Sequence, residues 1–573
     1  MKILLIGGYG SFGSRIVELL KSESGLSLVV AGRSLGQAKK CCALHADACA
    51  ELHPLRFDRA TEIVEQLRDI APDWVVDASG PFQAYGDQGY QVIEACIALR
   101  IHYLDLADGS SFVKGVAQFD PAAKSAGVFV LSGVSSFPVL SAAVVRRLSK
   151  EEEGIGFKAV HTLCSGIAPS PYAGVGLNVV KAVAGYAGQA VVIKRAGLWT
   201  HAYPFTESRN FVIAVPGQVP LRRLRFSLVD VPDLVLLAEQ APQAQEVWVG
   251  AAPVPVVLHR LLNALAWLVR WRLLSSLSAV AGLINWFSNN VRWGEHRGGM
   301  FVQLSGLDAH GQTMVREWHM VAEGADGPLI PAMAVEAIVR RALRGVLPQL
   351  GARAALEEIE LSDYESLFLK RQIFTGFRGR HTSAQMARRP LSLYESLLGD
   401  AWTHLPDPVR ALHAASPPSE FKGTCTVERG RNIFAKLVAK VIGFPEAGID
   451  QAIQVRFQKQ QLPDGRLAEL WTRTVADQSF SSLQYAGCGR DEALICERFG
   501  PTCYAMAVVV KDQELHLVLR GWSVFGIALP LWLGPRARAF ESSAGGCFQF
   551  FVEIAHPLIG LIVRYRGHLV QAA

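Results

Sequence analysis

The sequence has no pair of cysteines at CxxC spacing, and of its 10 cysteines Cys41 and Cys42 stand side by side, which suits neither a zinc knuckle nor a disulfide framework. The thiols read as reduced. There is no GK[ST] behind a glycine loop, no HExxH, no GxSxG and no cluster of His, Asp and Glu at ligand spacing. P-loop, metallohydrolase and serine-hydrolase chemistry therefore lack an anchor, and no metal is expected. Charge is sparse: Asp, Glu, Lys and Arg make up 19% of the chain, and the net charge of +6 is scattered except around residues 371–389. Nucleic acid is thus not an expected partner. The chain does not open with a basic stretch, apolar core and cleavage site, so a cytoplasmic location is expected. Its most apolar segment is cut by arginines before reaching the roughly 20 residues of a membrane span.

What is present in quantity is hydrophobic surface. Half of the 573 residues are hydrophobic and the mean hydropathy is +0.22. A single core stops growing near roughly 250–300 residues, so at least two domains are expected, with apolar surface left for a lipid, a membrane face or a partner.

From residue 1 to about 143, short apolar runs alternate with amphipathic stretches of helical length. Residues 3–6, 28–31, 74–77, 103–106 and 128–131 read as strands, and 14–22, 60–70, 88–99 and 121–126 as helices. This pattern predicts βαβ units with a parallel sheet. Gly8-Tyr9-Gly10-Ser11-Phe12-Gly13 matches GxGxxG between the first strand and first helix. Gly8 is expected to make the turn, Gly10 to let pyrophosphate approach and Gly13 to pack helix on strand, with the helix N-terminus facing the anion. The second strand ends in Ala31-Gly32-Arg33-Ser34, with no carboxylate for ribose hydroxyls. Arg33 can pair with a 2′-phosphate and Ser34 can donate to it, which predicts NADP(H) over NAD. Asp58, after another strand-like run, is a further candidate near adenine.

These motifs, with DASGPF (77–82), HYLDLADG (102–109) and AKSAGVFVLSGVSSFP (123–138), give the first 150 residues a resemblance to the NADP-binding domain of saccharopine dehydrogenase-like oxidoreductases. The likeness extends through VPD (231–233), RGGMFVQLSGLDAHG (297–311) and GPLIPAMAVEAI (327–338), fading between about 150 and 297. It implies an α/β fold: a Rossmann-type parallel sheet (1–150) joined to an α+β substrate and dimerisation domain (151–370), with a homodimer within its scope. It also implies that Ser79, Gly80 and Pro81 line the cofactor, and that Asp105 and Asp108 lie near the nicotinamide as catalytic candidates, Asp108 equally as a helix cap. Where the family carries carboxylates this chain has Ser135 and Leu140, which leaves Ser135 and Ser136 as hydroxyl donors and argues against a cationic amino-acid substrate.

The segment 254–287 is read either as interfacial helices touching the inner face of a membrane or as helices covering the substrate domain. Residues 371–390 read as a linker, and 391–573 as a separate, antiparallel β-rich domain in which Lys511 to Gln513 turn a hairpin. Through LYESLLGDAWTHLPDPVRALH, ELWTRT and HPLIGLIVRYRGHL, that last region resembles a bacterial domain of unknown function. Its His413, Glu428, Arg429, Glu469, Arg473, Glu497, Arg520 and Glu553 read as strand ion pairs rather than as a pocket. His161, His201 and His319 read as core histidines, and Cys164 is kept out of the catalytic set. The expected activity is NADP(H)-dependent reduction of a hydrophobic, lipid-like carbonyl or alkene. The alternative is a non-catalytic nucleotide-binding or membrane-associated scaffold whose C-terminal domain binds the ligand.

Overall fold

The computed structural model describes residues 1–151, 156–221, 223–253, 255–380, 391–414 and 419–571. Seven short strands pair in parallel in the order Gly351–Ala354, Phe129–Ser132, His102–Asp105, Trp74–Asp77, Lys2–Ile6, Ser27–Gly32, Glu51–Arg56. Helices on its faces bury the central strands on both sides, so these read as near-continuous apolar runs; Leu4, Leu5, Val75 and Val76 are fully buried, whereas the edge strand Glu51–Arg56 is largely exposed. The strand order reverses between Lys2–Ile6 and Trp74–Asp77. That switch point opens a crevice at the carboxyl ends of the two strands.

The seventh strand, Gly351–Ala354, comes from the far end of the middle region, and Arg340 of helix Ile330–Leu343 pairs with Glu23. A boundary at residue 150 is therefore corrected. The chain divides into two compact units, Met1–Phe211 with Leu224–Thr375, and Val212–Arg223 with Gly376–Ala573. The first unit also holds a mixed sheet in which Phe157–Ala168 runs between Glu246–Ala251 (parallel) and Arg297–Asp308 (antiparallel).

The expected linker is corrected in part. Ile373–Arg380 is a strand, whereas residues 381–390 lie outside the described residues. Beyond Val254, which is also outside them, the apolar segment forms helices Val256–Arg270 and Ala281–Asn290. Many of its large side chains are exposed, among them Trp271, Leu273 and Trp286. Helix Val256–Arg270 nonetheless covers the domain on its other face, where His259, Asn263, Ala266 and Val269 are buried and both His259 and Asn263 bond Ser227. Among the described residues no helix is long and apolar enough to cross a membrane.

In the second unit ten antiparallel strands close a barrel. Starting from Thr502–Lys511, each strand pairs with the next through to Glu514–Val524, which pairs back with Thr502–Lys511. Closure leaves the ring of strands without an edge. The expected hairpin forms, with Asp512 and Gln513 both at positive φ. Helices Leu393–Leu398 and Asp407–Ala414 contribute Tyr394, Leu398, Val409 and Leu412 to the barrel core.

Candidate functional site

The glycine loop is forced by sterics rather than by flexibility. Gly7 takes φ +75°, and a Cβ there would lie 2.8 Å from the Ala78 carbonyl oxygen. At Gly13 a Cβ would lie 2.2 Å from the Gly7 oxygen and 2.6 Å from the Gly8 Cα. The left-handed residue of the turn is thus Gly7, one ahead of the expected Gly8. Gly8 is needed instead because Leu5 and Val30 crowd it at 3.0 Å. At Gly10 a Cβ would meet one nearby atom, the Gly7 oxygen, which leaves its outer side open. Helix Gly13–Leu20 follows, and its N-cap residue Phe12 supplies no side-chain acceptor. The Ser14 N–H is taken by the Gly10 carbonyl at 3.0 Å, and the start of the helix still favours an anion through its dipole.

The end of the second strand lies beside this loop. The Ser34 N–H donates to the Tyr9 hydroxyl at 2.9 Å, and the Ser34 hydroxyl caps the next helix by accepting from the Gln37 N–H at 3.4 Å. Arg33 between them is exposed and forms no ion pair or hydrogen bond among the described residues. Asp58 is turned to local use: its carboxylate accepts from the Ala60 N–H at 3.1 Å.

The DASGPF stretch forms the other wall of the crevice through a residue that sequence reasoning missed. Arg59 donates to Asp77 Oδ2 at 3.3 Å and to Ser79 Oγ at 2.9 Å, and its guanidinium lies 3.6 Å from the centroid of the Tyr85 ring. The Ser79 N–H also donates to Asp77 Oδ1 at 2.9 Å. Ser79 is therefore held by both Arg59 and Asp77, and with it the turn into Gly80 and Pro81.

Between the walls is a cavity of about 230 Å³ lined by Gly10, Ser11, Phe12, Gly80, Pro81 and Asp108, with Asn178 across it donating to the Gly80 carbonyl. Asp108 accepts from Gln83 at 2.8 Å, and burial raises its pKa against the lowering effect of that bond. Asp230, anchored by Ser110 at 2.9 Å, is raised by burial and then by the charge of Asp108. Tyr186 is raised by burial and by the same two carboxylates. Asp108, Asp230 and Tyr186 thus share one electrostatic neighbourhood beside the crevice. Asp230 and Tyr186 were not legible because their motifs lie far apart in sequence.

The other expected catalytic residues are placed elsewhere. Asp105 is fully buried, accepting from the Ala107 N–H, the Gly133 N–H and the Ser132 hydroxyl, each at 2.9 Å. Burial pushes its pKa up to about 7. It pins two strand-end loops together and does not line the cavity. Ser136 is buried as well, and Ser135 is half-buried in the turn before it; neither lines the cavity. Of the three histidines expected in the core, only His319 is fully buried, while His161 is half-buried and His201 exposed. Burial pushes the Cys164 thiol up to about 11, which leaves it inert.

The cradle fits a dinucleotide: crowded glycine positions, an uncapped helix start, and an unpartnered cation beyond the second strand. Comparison with known proteins agrees on the type of domain. Residues 3–131 match the family model described as saccharopine dehydrogenase NADP binding domain, and residues 405–569 match a domain of unknown function, DUF4166. Apo histidine-tagged saccharopine dehydrogenase (L-Glu forming) from Saccharomyces cerevisiae is 14% identical over 66% of this chain and 100% of its own, with a TM-score of 0.47. GenD2 from gentamicin A biosynthesis, solved in complex with NAD, is 13% identical over 55% of this chain and 71% of its own, with a TM-score of 0.28. No curated protein matches the chain.

Proposed function

We propose that the chain is an NADP(H)-dependent oxidoreductase acting on a hydrophobic carbonyl or activated alkene. The observation that carries this reading is the pairing of the glycine cradle with Arg33, a free cation where NAD-specific folds place a carboxylate. When bound, the nicotinamide supplies or accepts a hydride.

The protein's own residues have three tasks in this reading. The Gly7 to Gly13 loop and the helix behind it hold the pyrophosphate; Arg59 fixes Ser79, Gly80 and Pro81 as the opposite wall; Asp108 offers a carboxyl beside the cavity for proton transfer. Burial raises the pKa of Asp108, the direction that favours a carboxyl as a proton donor. Ser135 and Ser136 are not needed for it. Ser135 and Leu140 do not line the cavity, so the carboxylates missing there do not bear on the substrate's charge; a nucleotide-binding scaffold without turnover is the second reading.

Fluorescence titration of the purified chain with NADPH and NADH tests the cofactor. Tighter NADPH binding is expected; equal or tighter NADH binding would overturn the role of Arg33. Consumption of bound NADPH on addition of a lipid extract separates the oxidoreductase from the scaffold.

Peripheral lipid contact is proposed for helices Val256–Arg270 and Ala281–Asn290. Trp271, Leu273 and Trp286 are exposed at 61%, 68% and 58%, and Arg260, Arg270 and Arg272 lie among them, the mixture an interfacial helix carries.

A further inference from the structure

We propose that the C-terminal barrel is a binding site for an uncharged single-chain lipid, an elongated hydrocarbon ending in a hydroxyl or carbonyl group. The site lies wholly within the second unit and stands apart from the nicotinamide reading.

A barrel widens with its strand number: about eight strands leave an interior that side chains can fill or that holds one small ligand. Ten strands here enclose a cavity of about 670 Å³. Protein interiors are packed with few voids larger than a water molecule, and ligand sites fall in the range of roughly 300–1,000 Å³. Most of the wall is hydrocarbon and aromatic, including Met506, Leu519, Phe550 and Ile554. Such a lining offers water few partners and favours an apolar occupant.

The gradient of exposure gives the cavity a direction. Its outer lining includes Phe434, Leu437 and Val441 of helix Ile433–Ile442 and Leu558, exposed at 63%, 59%, 77% and 84%. Its inner lining includes Tyr394 and Leu412, both at 1%. An apolar rim thus leads to a closed floor.

The floor is polar, and its groups are bonded to one another. Arg473 donates to Glu497 at 3.1 Å and to Ser482 at 2.8 Å, while Ser482 donates to Glu497 at 2.6 Å. Tyr394 donates to Gln484 at 3.1 Å, and His413 bonds Glu541 at 2.5 Å. Glu469 accepts from the Trp471 indole nearby. Three carboxylates, Glu469, Glu497 and Glu541, surround one arginine and one histidine, so a fatty-acid carboxylate or a phosphate would be repelled. Of the carboxylates that line the cavity, Glu497 is already paired with Arg473 and Glu541 is hydrogen-bonded to His413, so an ammonium group would have to displace these partners. A hydroxyl or carbonyl can join the Arg473, Gln484 and Tyr394 hydrogen bonds without bringing charge into a dry interior. Of the ion-pairing residues expected on these strands, Arg473 and Glu497 therefore face the cavity, whereas Glu428 and Glu553 both pair with Arg564 and line no part of it.

The test uses the full chain and no nicotinamide, so its outcome is independent of the proposed oxidoreductase activity. The uncharged fluorophore N-phenylnaphthylamine is titrated into the protein and then displaced by dodecanol, dodecanal, dodecanoate or dodecylamine. Saturable enhancement is expected, with the alcohol and aldehyde displacing it at concentrations at least about tenfold lower than the acid or the amine. Ala539→Trp and Leu519→Trp each place an indole in the cavity and are expected to abolish binding while the chain remains folded by near-ultraviolet circular dichroism. Absence of saturable binding to the native chain overturns the site. So does native-like binding by whichever filled variant stays folded. Displacement by the acid or the amine as tight as by the alcohol overturns the uncharged head group.

Discussion

The Ser34 N–H donates to the Tyr9 hydroxyl at 2.9 Å, so the middle of the glycine loop holds the end of the neighbouring strand. The Tyr9 ring also fills the place of a Gly32 side chain: a Cβ at Gly32 would lie 2.6 Å from Tyr9 Cε1. Arg33 is thereby presented outward from a braced backbone rather than from a free loop. Arg33→Ala is expected to weaken NADPH binding by about tenfold or more, since a charge-assisted hydrogen bond contributes roughly 1.5–3 kcal/mol. NADH binding should change little. Titration of both nucleotides against both proteins measures this; an equal loss for the two would make Arg33 a structural residue.

Gly13→Ala tests the cradle itself. The added methyl would overlap the Gly7 carbonyl and the Gly8 Cα, both backbone atoms that cannot rotate aside. Relief requires moving the first helix off the sheet. Overpacking of this kind costs roughly 1–3 kcal/mol and occasionally more. A lower denaturation midpoint together with loss of nucleotide binding is expected, whereas Gly10→Ala, which meets a single neighbouring oxygen at 3.0 Å, should spare stability and impair nucleotide binding alone.

Arg59 compensates the fully buried Asp77 and ties it to Ser79. Arg59→Met keeps much of the side-chain volume but leaves Asp77 without a cation, and breaking a buried pair by removing one partner costs roughly 3–5 kcal/mol. Chemical denaturation should register that loss. Asp77→Asn in the same background should recover part of it, because the amide carries no charge; failure to recover would show that stacking on Tyr85, not the ion pair, is what Arg59 supplies.

The parts of the fold that one short stretch dictates were legible in the sequence. GGYGSFG had to be a strand-to-helix turn because backbone crowding at Gly7, Gly8 and Gly13 admits no side chain. The parts that depend on distant partners were not. Arg59 finds Asp77 across 18 residues, and Tyr186 and Asp230 meet Asp108 through an electrostatic field with no local sequence signature. Asp105 stands at the end of a strand where functional carboxylates gather, yet three donors draw its side chain inward. Alternation correctly marked the last region as β-rich, but closure depends on Thr502–Lys511 pairing on both sides, which no periodicity encodes. Strand Ile373–Arg380 escaped notice because glycines and arginines gave it the composition of a linker.

The exposed apolar side chains of the middle region should register at a lipid surface. Replacing Trp271, Leu273 and Trp286 together by Ser removes three large, mostly exposed groups. Co-sedimentation of the native chain with anionic vesicles is expected, with loss in the triple variant and weakening at high salt, since interfacial helices bind through apolar area and cationic attraction together. Equal recovery of both proteins in the supernatant would remove the membrane from the account.

Burial raises the pKa of Asp105 to about 7 from the ordinary value of 3.8, and burial does the same for Asp233, also to about 7. The folded chain therefore binds these protons more tightly than the unfolded chain, and stability falls with pH wherever the folded state carries the extra proton. The contribution is whole below about pH 4 and is lost as the pH rises through about 7, amounting to roughly 4 kcal/mol per carboxyl as an upper bound. Asp105→Asn keeps an oxygen for the Gly133, Ala107 and Ser132 donors and removes the titration. Urea denaturation at about pH 5 and about pH 8 should show a drop in stability for the native chain and a smaller drop for the variant. Parallel behaviour of the two proteins would mean that Asp105 stays ionised in its buried cage of donors.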